Sequence, residues 1–373
     1  MGRVTSHTEE AQRKSHVMNI SQYLERMPKA ELHVHIEGTI DPQRLFEIAE
    51  RNGVKLPFTT ADEILENQAA GKTDPKQNLA SFIECLDVSR SVLRVGLDYE
   101  DIAYDFVKRC SQENIVYAEV MFDPQQGIRQ GVKFEAMVEG LLSGAESGRR
   151  EFGVQVQWIM NFQRDWSSVD AMHILNQARP YRDKIVAIGL DNPETPGFPS
   201  RFEQLYAEAR VQGYHLTSHC DVHIPNSIEH IRGCIEVLGV QRIDHGLNAL
   251  EDSKVVDCLI EKQISLTACP TRYAFQSATS IEDLELMVEL LGRGIQISLN
   301  SDDPAQFGSG WLNQTLSEAQ QAGKFSLETM RAFMRNGFLS AWLTNDEKLR
   351  YLARFDEAHT QLEHAGVDDG CIG

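Results

Sequence analysis

Short apolar runs rich in β-branched residues recur along the chain, and each is followed by a longer segment with the apolar spacing of an amphipathic helix. This alternation is typical of parallel strands joined by crossover helices. Eight strands close an α/β barrel, and eight such runs occur in this sequence. The predicted strands are residues 30–37, 115–123, 156–162, 185–191, 214–220, 242–246, 264–270 and 295–301.

Residues 29–373 are therefore predicted to form a single α/β domain, a (β/α)8 TIM barrel, which reaches this length when it carries insertions. Residues 1–28 form a polar leader with a capped helix that begins near Ser21 and closes at Pro28. The gap after the first run is too long for one crossover helix, so we expect a helical insertion at about residues 41–113. It emerges on the face that holds barrel active sites, so it is either a lid or a helical decoration.

Composition narrows the class of partner. Lys and Arg number 36 against 55 Asp and Glu, and the resulting net charge of −19 repels polyanions, so no nucleic-acid partner is expected. The seven cysteines include no CxxC pair and are expected to be reduced thiols of a cytoplasmic protein. Since no apolar run approaches the roughly 18 residues of a membrane span, a membrane partner is not expected either. A small-molecule substrate remains, and a homo-oligomer is left open.

Five side chains that suit a metal site lie at the ends of different runs. His33 and His35 are two residues apart on the first predicted strand and point to one face, while His219, His245 and Asp302 end or follow the fifth, sixth and eighth runs. The carboxyl ends of barrel strands meet at one rim, so these side chains are expected to converge there.

Three neutral imidazoles and one carboxylate suit zinc better than magnesium or calcium, with iron, cobalt and manganese as alternatives. We therefore expect one Zn²⁺ per chain, bound by His33, His35, His219 and Asp302, which would make hydroxide available at neutral pH. His245 is then free to orient and polarise the attacking water, with Asp302 taking its proton. A purely structural histidine is the alternative for His245.

These residues lie in three motifs that resemble those of one family. Residues 28–39 read PKAELHVHIEGT, residues 242–246 read RIDHG, and residues 298–304 read SLNSDDP. Over nearly its whole length the chain resembles the adenosine and adenine deaminases of the amidohydrolase superfamily. The resemblance implies the same four zinc ligands, a water-assisting role for His245, and a hydrogen bond from Asp303 to a ring nitrogen of a purine.

Two local features resemble the adenine branch, which acts on the free base. Glu37 stands where nucleoside deaminases usually carry an Asp that meets the ribose. Residues 189–194 read GLDNPE and lack the Leu-Ala-Gly turn that nucleoside deaminases use under the base. Asp191 and Glu194 of this segment are predicted to bind substrate, Glu194 by accepting a proton from a ring N–H; a solvated loop carboxylate is the alternative for Glu194.

One position departs from the family. Members read His-Ala-Gly-Glu after the fifth strand, and that Glu protonates the purine ring, whereas this chain reads His219-Cys220-Asp221-Val222-His223. Valine cannot transfer a proton, and losing a positioned acid typically costs about 10²- to 10⁴-fold in rate. Asp221 is the first candidate replacement and His223 a weaker one; Asp221 as a loop-capping residue is the alternative.

The leading hypothesis is a zinc-dependent aminohydrolase that replaces the exocyclic amine of a purine-like or related nitrogen heterocycle with oxygen. The change at Val222 motivates a second hypothesis, an amidohydrolase that cleaves an N6-substituted base or a ring amide. A third hypothesis, from another class, is an inactive metal-binding sensor or scaffold.

Overall fold

The computed structural model describes residues 18–71, 86–222, 224–270, 281–306 and 310–368. Most of its strands are short, and all of their pairings are parallel. In chain order the strands are β1 (Met18–Asn19), β2 (Lys29–Glu31), β3 (Ile115–Phe122), β4 (Gln155–Gln163), β5 (Ile185–Asp191), β6 (His215–Leu216), β7 (His219–Cys220), β8 (Arg242–His245), β9 (Ser265–Ala268), β10 (Ile297–Leu299) and β11 (Val367–Asp368).

Helices follow nearly every barrel strand. They are α1 (Ile20–Arg26), α2 (Pro42–Asn52), α3 (Ala61–Gly71), α4 (Gly96–Gln112), α5 (Pro124–Arg129), α6 (Phe134–Phe152), α7 (Ser168–Gln177), α8 (Phe198–Arg201), α9 (Glu203–Val211), α10 (Ser227–Gly233), α11 (Ser253–Glu261), α12 (Ile281–Gly292), α13 (Leu312–Gly323), α14 (Leu327–Ser340) and α15 (Asn345–Ala365). Shorter helical turns are Ile36–Thr39, Arg179–Tyr181, Cys234–Leu238 and Leu247–Glu251, and residues 86–91 are also helical.

Strands β2 to β10 form a closed α/β barrel, as the sequence predicts. Five strands follow the order β2-β3-β4-β5-β6, and four follow β7-β8-β9-β10. Backbone bonds join the two sets at both edges: Gln241 N donates to the Leu216 carbonyl at 2.9 Å, and Asp302 N donates to the His33 carbonyl at 3.0 Å. All eight residues of β3 are buried, which is typical of a parallel strand covered on both faces.

Two predicted strands differ from those observed. The run 214–220 is divided, because its first part, β6, pairs with β5 and its second part, β7, pairs with β8 on the other side. The run 30–37 is regular only over β2; beyond it Val34 and His35 make single bridges, and the chain then tightens into the turn Ile36–Thr39. His33 and His35 therefore lie just past the regular strand rather than within it.

The region between the first two barrel strands is mostly helical where it is described, as expected for the insertion at about residues 41–113. It contains α2, α3, the helical residues 86–91 and α4. Gly140 and Gly144 of α6 allow close approach of α4, because a Cβ at these positions would lie 2.2 Å and 2.1 Å from the backbone oxygens of Gly96 and Glu100. Residues 72–85 of this region lie outside the described residues.

The ends of the described chain meet. β1 pairs with β11, and Met18 N donates to the Gly366 carbonyl at 3.0 Å. The cap of α1 is Asn19 rather than Ser21, since the Asn19 side chain accepts from Gln22 N at 2.9 Å while the Gln22 side chain accepts from Asn19 N. Within the described ranges, no helix combines the length and apolarity needed to span a membrane.

Candidate functional site

The five side chains singled out for the metal site come together at the carboxyl ends of the barrel strands, and all are buried. His33 and His35 follow β2, His219 opens β7, His245 ends β8 and Asp302 follows β10. His245 and Asp302 have positive φ angles of 66° and 64°. Such backbone is uncommon for residues other than glycine and clusters at functional sites, where the surrounding structure holds it in place.

Donor atoms from four of these residues point to one another. His35 Nε2 is 3.1 Å from His219 Nε2, and Asp302 Oδ1 is 3.5 Å from both His33 Nε2 and His35 Nε2. Two ligands bound 2.0–2.1 Å from one tetrahedral ion are about 3.3 Å apart. These three donor–donor distances are close to those expected between ligands of one transition-metal ion.

Hydrogen bonds behind the imidazoles fix how the rings face the site. His33 Nδ1 lies 3.0 Å from Thr267 Oγ1, which donates to Asp244, and His219 Nδ1 lies 3.0 Å from the Leu190 carbonyl. Anchored Nδ1 atoms leave Nε2 as the donor toward the metal. His33 Nε2 is buried and has no hydrogen-bond partner among the described residues, so an ion fits where this lone pair points.

The protonation states also suit a metal. Burial lowers the pKa of His35 to about 4 and lowers the pKa of His219 well below its usual value. Both rings are therefore neutral at physiological pH, which is the form that ligates metals.

His245 occupies the position between two carboxylates. Its Nε2 is 3.9 Å from Asp302 Oδ2 and 4.0 Å from Asp221 Oδ1, and its ring is 4.7 Å from that of His33. It is thus beside the four converging donors and close enough to contact a small molecule held there.

Asp221 and Val222 face in different directions. Asp221 Oδ2 accepts a 2.6 Å bond from Arg164, a fully buried side chain that also donates to the carbonyls of Asn192 and His219. This bond turns the Asp221 carboxylate toward the rim. Val222 is buried in the apolar core, and His223 lies outside the described residues.

Glu194 has partners within the protein. Its Oε1 accepts from Asp221 N at 2.6 Å, and its Oε2 contacts His230 Nδ1. In this arrangement the carboxylate holds the backbone of the loop that carries Asp221, and a contact with a ring N–H would require it to exchange one of these partners.

The remaining predicted substrate residues line the same rim. Glu37 Oε1 accepts from Asp123 N at 3.0 Å, and burial together with the Asp123 charge raises the pKa of Glu37 to about 7. Asp191 accepts from Asn161 at 3.1 Å, with its Oδ2 3.7 Å from His35 Nδ1. Burial and the nearby Asp123 raise the pKa of Asp191 well above its usual value.

Asp303 packs directly on Gly38. A Cβ at Gly38 would lie 1.9 Å from Asp303 Oδ1, so only glycine permits this approach. Ala305 N donates to the Gly38 carbonyl at 2.9 Å and closes the contact between the two loops.

Three polar residues of the site were not predicted from the sequence: Arg90, Asp123 and Arg164. Asp123 and Arg164 directly follow β3 and β4, so the strand-end rule that found His219, His245 and Asp302 would have found them too. Arg90 carries no such signal, because it lies in the long region between the first two barrel strands.

Together, the closed barrel and the convergent imidazoles and carboxylate at its carboxyl rim define a metal-dependent barrel hydrolase. The sequence profile of the adenosine deaminase family matches residues 28–358. The chain belongs to this family, and it is accordingly an enzyme that hydrolyses carbon–nitrogen bonds.

Individual relatives agree with this assignment. The chain is 34% identical to the adenine deaminase of Wolinella succinogenes over 334 residues, which cover 89% of this chain and 98% of that protein. It is 33% identical to an uncharacterized deaminase of Schizosaccharomyces pombe, covering 90% of this chain and 96% of that one. The crystal structure of adenine deaminase from Arthrobacter aurescens superposes with a TM-score of 0.82 at 32% identity, covering 90% and 99% of the two chains.

Proposed function

We propose that the protein is a zinc-dependent aminohydrolase that removes the exocyclic amine of a free purine-like base and releases ammonia. One Zn²⁺ per chain would be held by His33, His35, His219 and Asp302. The observation that carries the proposal is the convergence of these four donors, with Nε2 of His35 and His219 3.1 Å apart. The mixed nitrogen and oxygen donor set suits zinc. No disulfide joins the described cysteines, which supports the predicted cytoplasmic location.

A bound zinc ion would supply acidity to water, lowering its pKa from near 16 to about 7. The protein's own groups do the rest. His245 Nε2, within 4.0 Å of both Asp302 and Asp221, holds a hydrogen of the attacking water and orients its lone pair toward the ring. Asp302 receives the proton. Asp303, held against Gly38, bonds a ring nitrogen, while Glu37 and Asp191 bind the far edge of the base.

Asp221 takes over the proton delivery that family members assign to glutamate. Its carboxylate is turned to the rim by Arg164, and its Oδ1 faces His245. The neighbouring Val222 lies in the core and has no proton to give. Proton transfer from Asp221 therefore allows deamination without the glutamate of the family.

The test is ammonia release by zinc-loaded protein on a panel of aminopurines, aminopterins and aminopyrimidines. We expect turnover of at least one free base, stoichiometric zinc by elemental analysis, and a loss of about 10²- to 10⁴-fold in His245→Ala. His173→Ala, at an exposed position on α7, serves as the matched control with unchanged rates. Silence across the whole panel by metal-loaded, folded protein would refute the proposal.

A second candidate is hydrolysis of an N6-substituted base, and the loss of the family acid at Val222 favours it. Adding N6-methyl and N6-alkyl purines to the panel, with detection of the released alkylamine, separates this activity from simple deamination.

A further inference from the structure

His230 is a buried histidine that lies outside the cluster of metal-binding donors. It belongs to α10, and its side chain is 6% exposed. Its Nδ1 contacts Glu194 Oε2, and its ring packs edge-on against Phe198 with 4.9 Å between the ring centroids. An ionised carboxylate accepts hydrogen bonds and does not donate them, so Nδ1 is the donor. Since α10 and the Phe198 ring hold the imidazole in place, this donor reaches Glu194 from a fixed position.

Glu194 joins two elements of the barrel through its two carboxylate oxygens. Oε2 is bound by His230 on α10, and Oε1 accepts at 2.6 Å from the backbone N of Asp221, which directly follows β7. Arg164 Nη1 lies 3.4 Å from the same Oε1, and Arg164 Nη2 donates to Asp221 Oδ2 at 2.6 Å. Asp221 is therefore held at two points, its side chain by Arg164 and its backbone by Glu194.

Loss of the His230 donor would disturb the backbone contact of Asp221. The Glu194 side chain is 2% exposed, which leaves little room for water to replace the donor that Oε2 would lose. A buried carboxylate oxygen without its donor is costly, so the group would rotate toward the donors that remain. Because Oε1 and Oε2 belong to one planar group, this rotation also displaces Oε1 from Asp221 N.

We propose that His230 is a positioning residue for Asp221 and that it acts through Glu194. His230 does not contact the substrate in this role. It keeps Glu194 on the backbone of Asp221, so that the Asp221 carboxylate stays turned to the rim where the proton is delivered. The inference rests on the proposed deaminase function, and it assigns the Glu194 carboxylate to the protein rather than to a ring N–H of the base.

Three variants of the zinc-loaded protein test this role on the base that is turned over fastest. His230→Leu removes the donor and keeps an apolar contact with Phe198, so kcat should fall about 10- to 10²-fold while KM changes by less than about threefold, as for a misplaced catalytic group. His230→Asn should restore most of the rate, because its amide nitrogen is as many bonds from Cα as Nδ1 is. His230→Gln places that nitrogen one bond further away and should resemble His230→Leu.

A double-mutant cycle separates positioning from a general loss of structure. In an Asp221→Asn background, His230→Leu should lower kcat by less than about threefold further, since the group that it positions is already disabled. Multiplicative losses, or a His230→Asn variant as slow as His230→Leu, would overturn the inference. His359→Leu is the matched control, because His359 Nδ1 lies 2.9 Å from Tyr23 Oη on α15, outside the site, and its rates should be unchanged.

Amide hydrogen exchange at Asp221 gives a readout that needs no turnover. We expect at least about tenfold faster exchange in His230→Leu, and exchange near that of wild type in His230→Asn and His359→Leu, because Glu194 holds this amide hydrogen. This pattern without turnover of any base would support the positioning of Asp221 while refuting the proposed function. Unchanged exchange in folded His230→Leu would overturn the inference whatever the activity.

Discussion

Because Gly38 has no side chain, Asp303 packs directly against its backbone. We predict that Gly38→Ala lowers kcat/KM by at least about 10²-fold, because a Cβ 1.9 Å from Asp303 Oδ1 must displace that carboxylate, and misplaced catalytic geometry costs rates of this order. Overpacking of this kind also destabilises by about 1–3 kcal/mol. Steady-state kinetics and urea unfolding measure the two effects.

Gly292→Ala is the control, because a Cβ there meets nothing within 4 Å at the end of α12. It should keep full activity and gain up to about 1 kcal/mol from helix propensity. Wild-type kinetics in Gly38→Ala would mean that Asp303 has room to shift without consequence.

The segment Asp221-Val222 makes a second residue-scale prediction. Asp221→Asn removes the proton while keeping an oxygen for Arg164, so kcat should fall by about 10²- to 10⁴-fold with little change in stability. Restoring the family acid alone, in Val222→Glu, is not expected to rescue this variant, because Val222 packs in the core and a buried carboxylate there is costly. Rescue of Asp221→Asn by Val222→Glu would show instead that the loop can exchange the two positions.

At this scale, the sequence predicted site residues that lie at the carboxyl ends of barrel strands. His33, His35, His219, His245 and Asp302 lie at strand ends, and the structure brings all five to one rim. The interactions that hold Asp221 and Glu194 were not predictable, because the bonds of Arg164 to Asp221 and of His230 to Glu194 join residues that are distant in sequence and share no motif.

At the scale of elements, Lys29 ties α1 to the start of β2. Its buried Nζ donates to the carbonyls of Leu24 and Met27, each at 2.8 Å, at the carboxyl end of the helix. Burial lowers the pKa of Lys29 from 10.5 to about 7. Between these two pH values the unfolded chain binds more protons than the folded one, so stability from this group rises with pH.

We therefore predict that Lys29→Met is less stable than wild type by about 1–3 kcal/mol at pH 9, from the two carbonyls left unpaired. The difference should shrink as the pH falls toward 7, where the wild-type protein must bury a charge. Urea midpoints from pH 6.5 to 9.5 measure this, with exposed Lys108→Met as the control. A stability difference that does not vary with pH would mean that Lys29 has the same pKa in the folded and unfolded chain.

Strands were predicted accurately where the apolar run forms one continuous strand, and poorly where a run divides between two neighbouring strands. The predicted strands 115–123 and 185–191 agree with β3 and β5 almost to the residue. The run 214–220 gives no sign of its division, because the break between β6 and β7 depends on which neighbour each half pairs with. The cap of α1 was displaced by two residues, since Asn19 and Ser21 are both good capping residues and only the bond to Gln22 distinguishes them.

At the scale of the whole molecule, metal removal should destabilise the barrel. An ion that binds only the folded state at about 1,000 times its Kd adds about 4 kcal/mol. A chelator should therefore lower Tm by several degrees, measured by calorimetry before and after zinc is restored. His219→Ala should show a much smaller response to the chelator, and an unchanged wild-type Tm would argue that the four donors hold no ion.

The fold class followed from counting eight apolar runs, because closure of a parallel barrel depends on strand number and not on exact strand boundaries. The long helical region after the first strand was predicted only from the length of the gap between the first two runs. That this region places Arg90 at the rim could not be predicted from the sequence.

Asp302 joins the first and last strands of the barrel through its backbone and also supplies a carboxylate oxygen to the donor cluster. If this cluster binds zinc as proposed, barrel closure and metal binding are therefore coupled. On zinc binding, we expect amide deuterium exchange at His35 and Asp302 to slow together. In the metal-free protein, local unfolding is expected to begin with these backbone bonds between the first and last barrel strands.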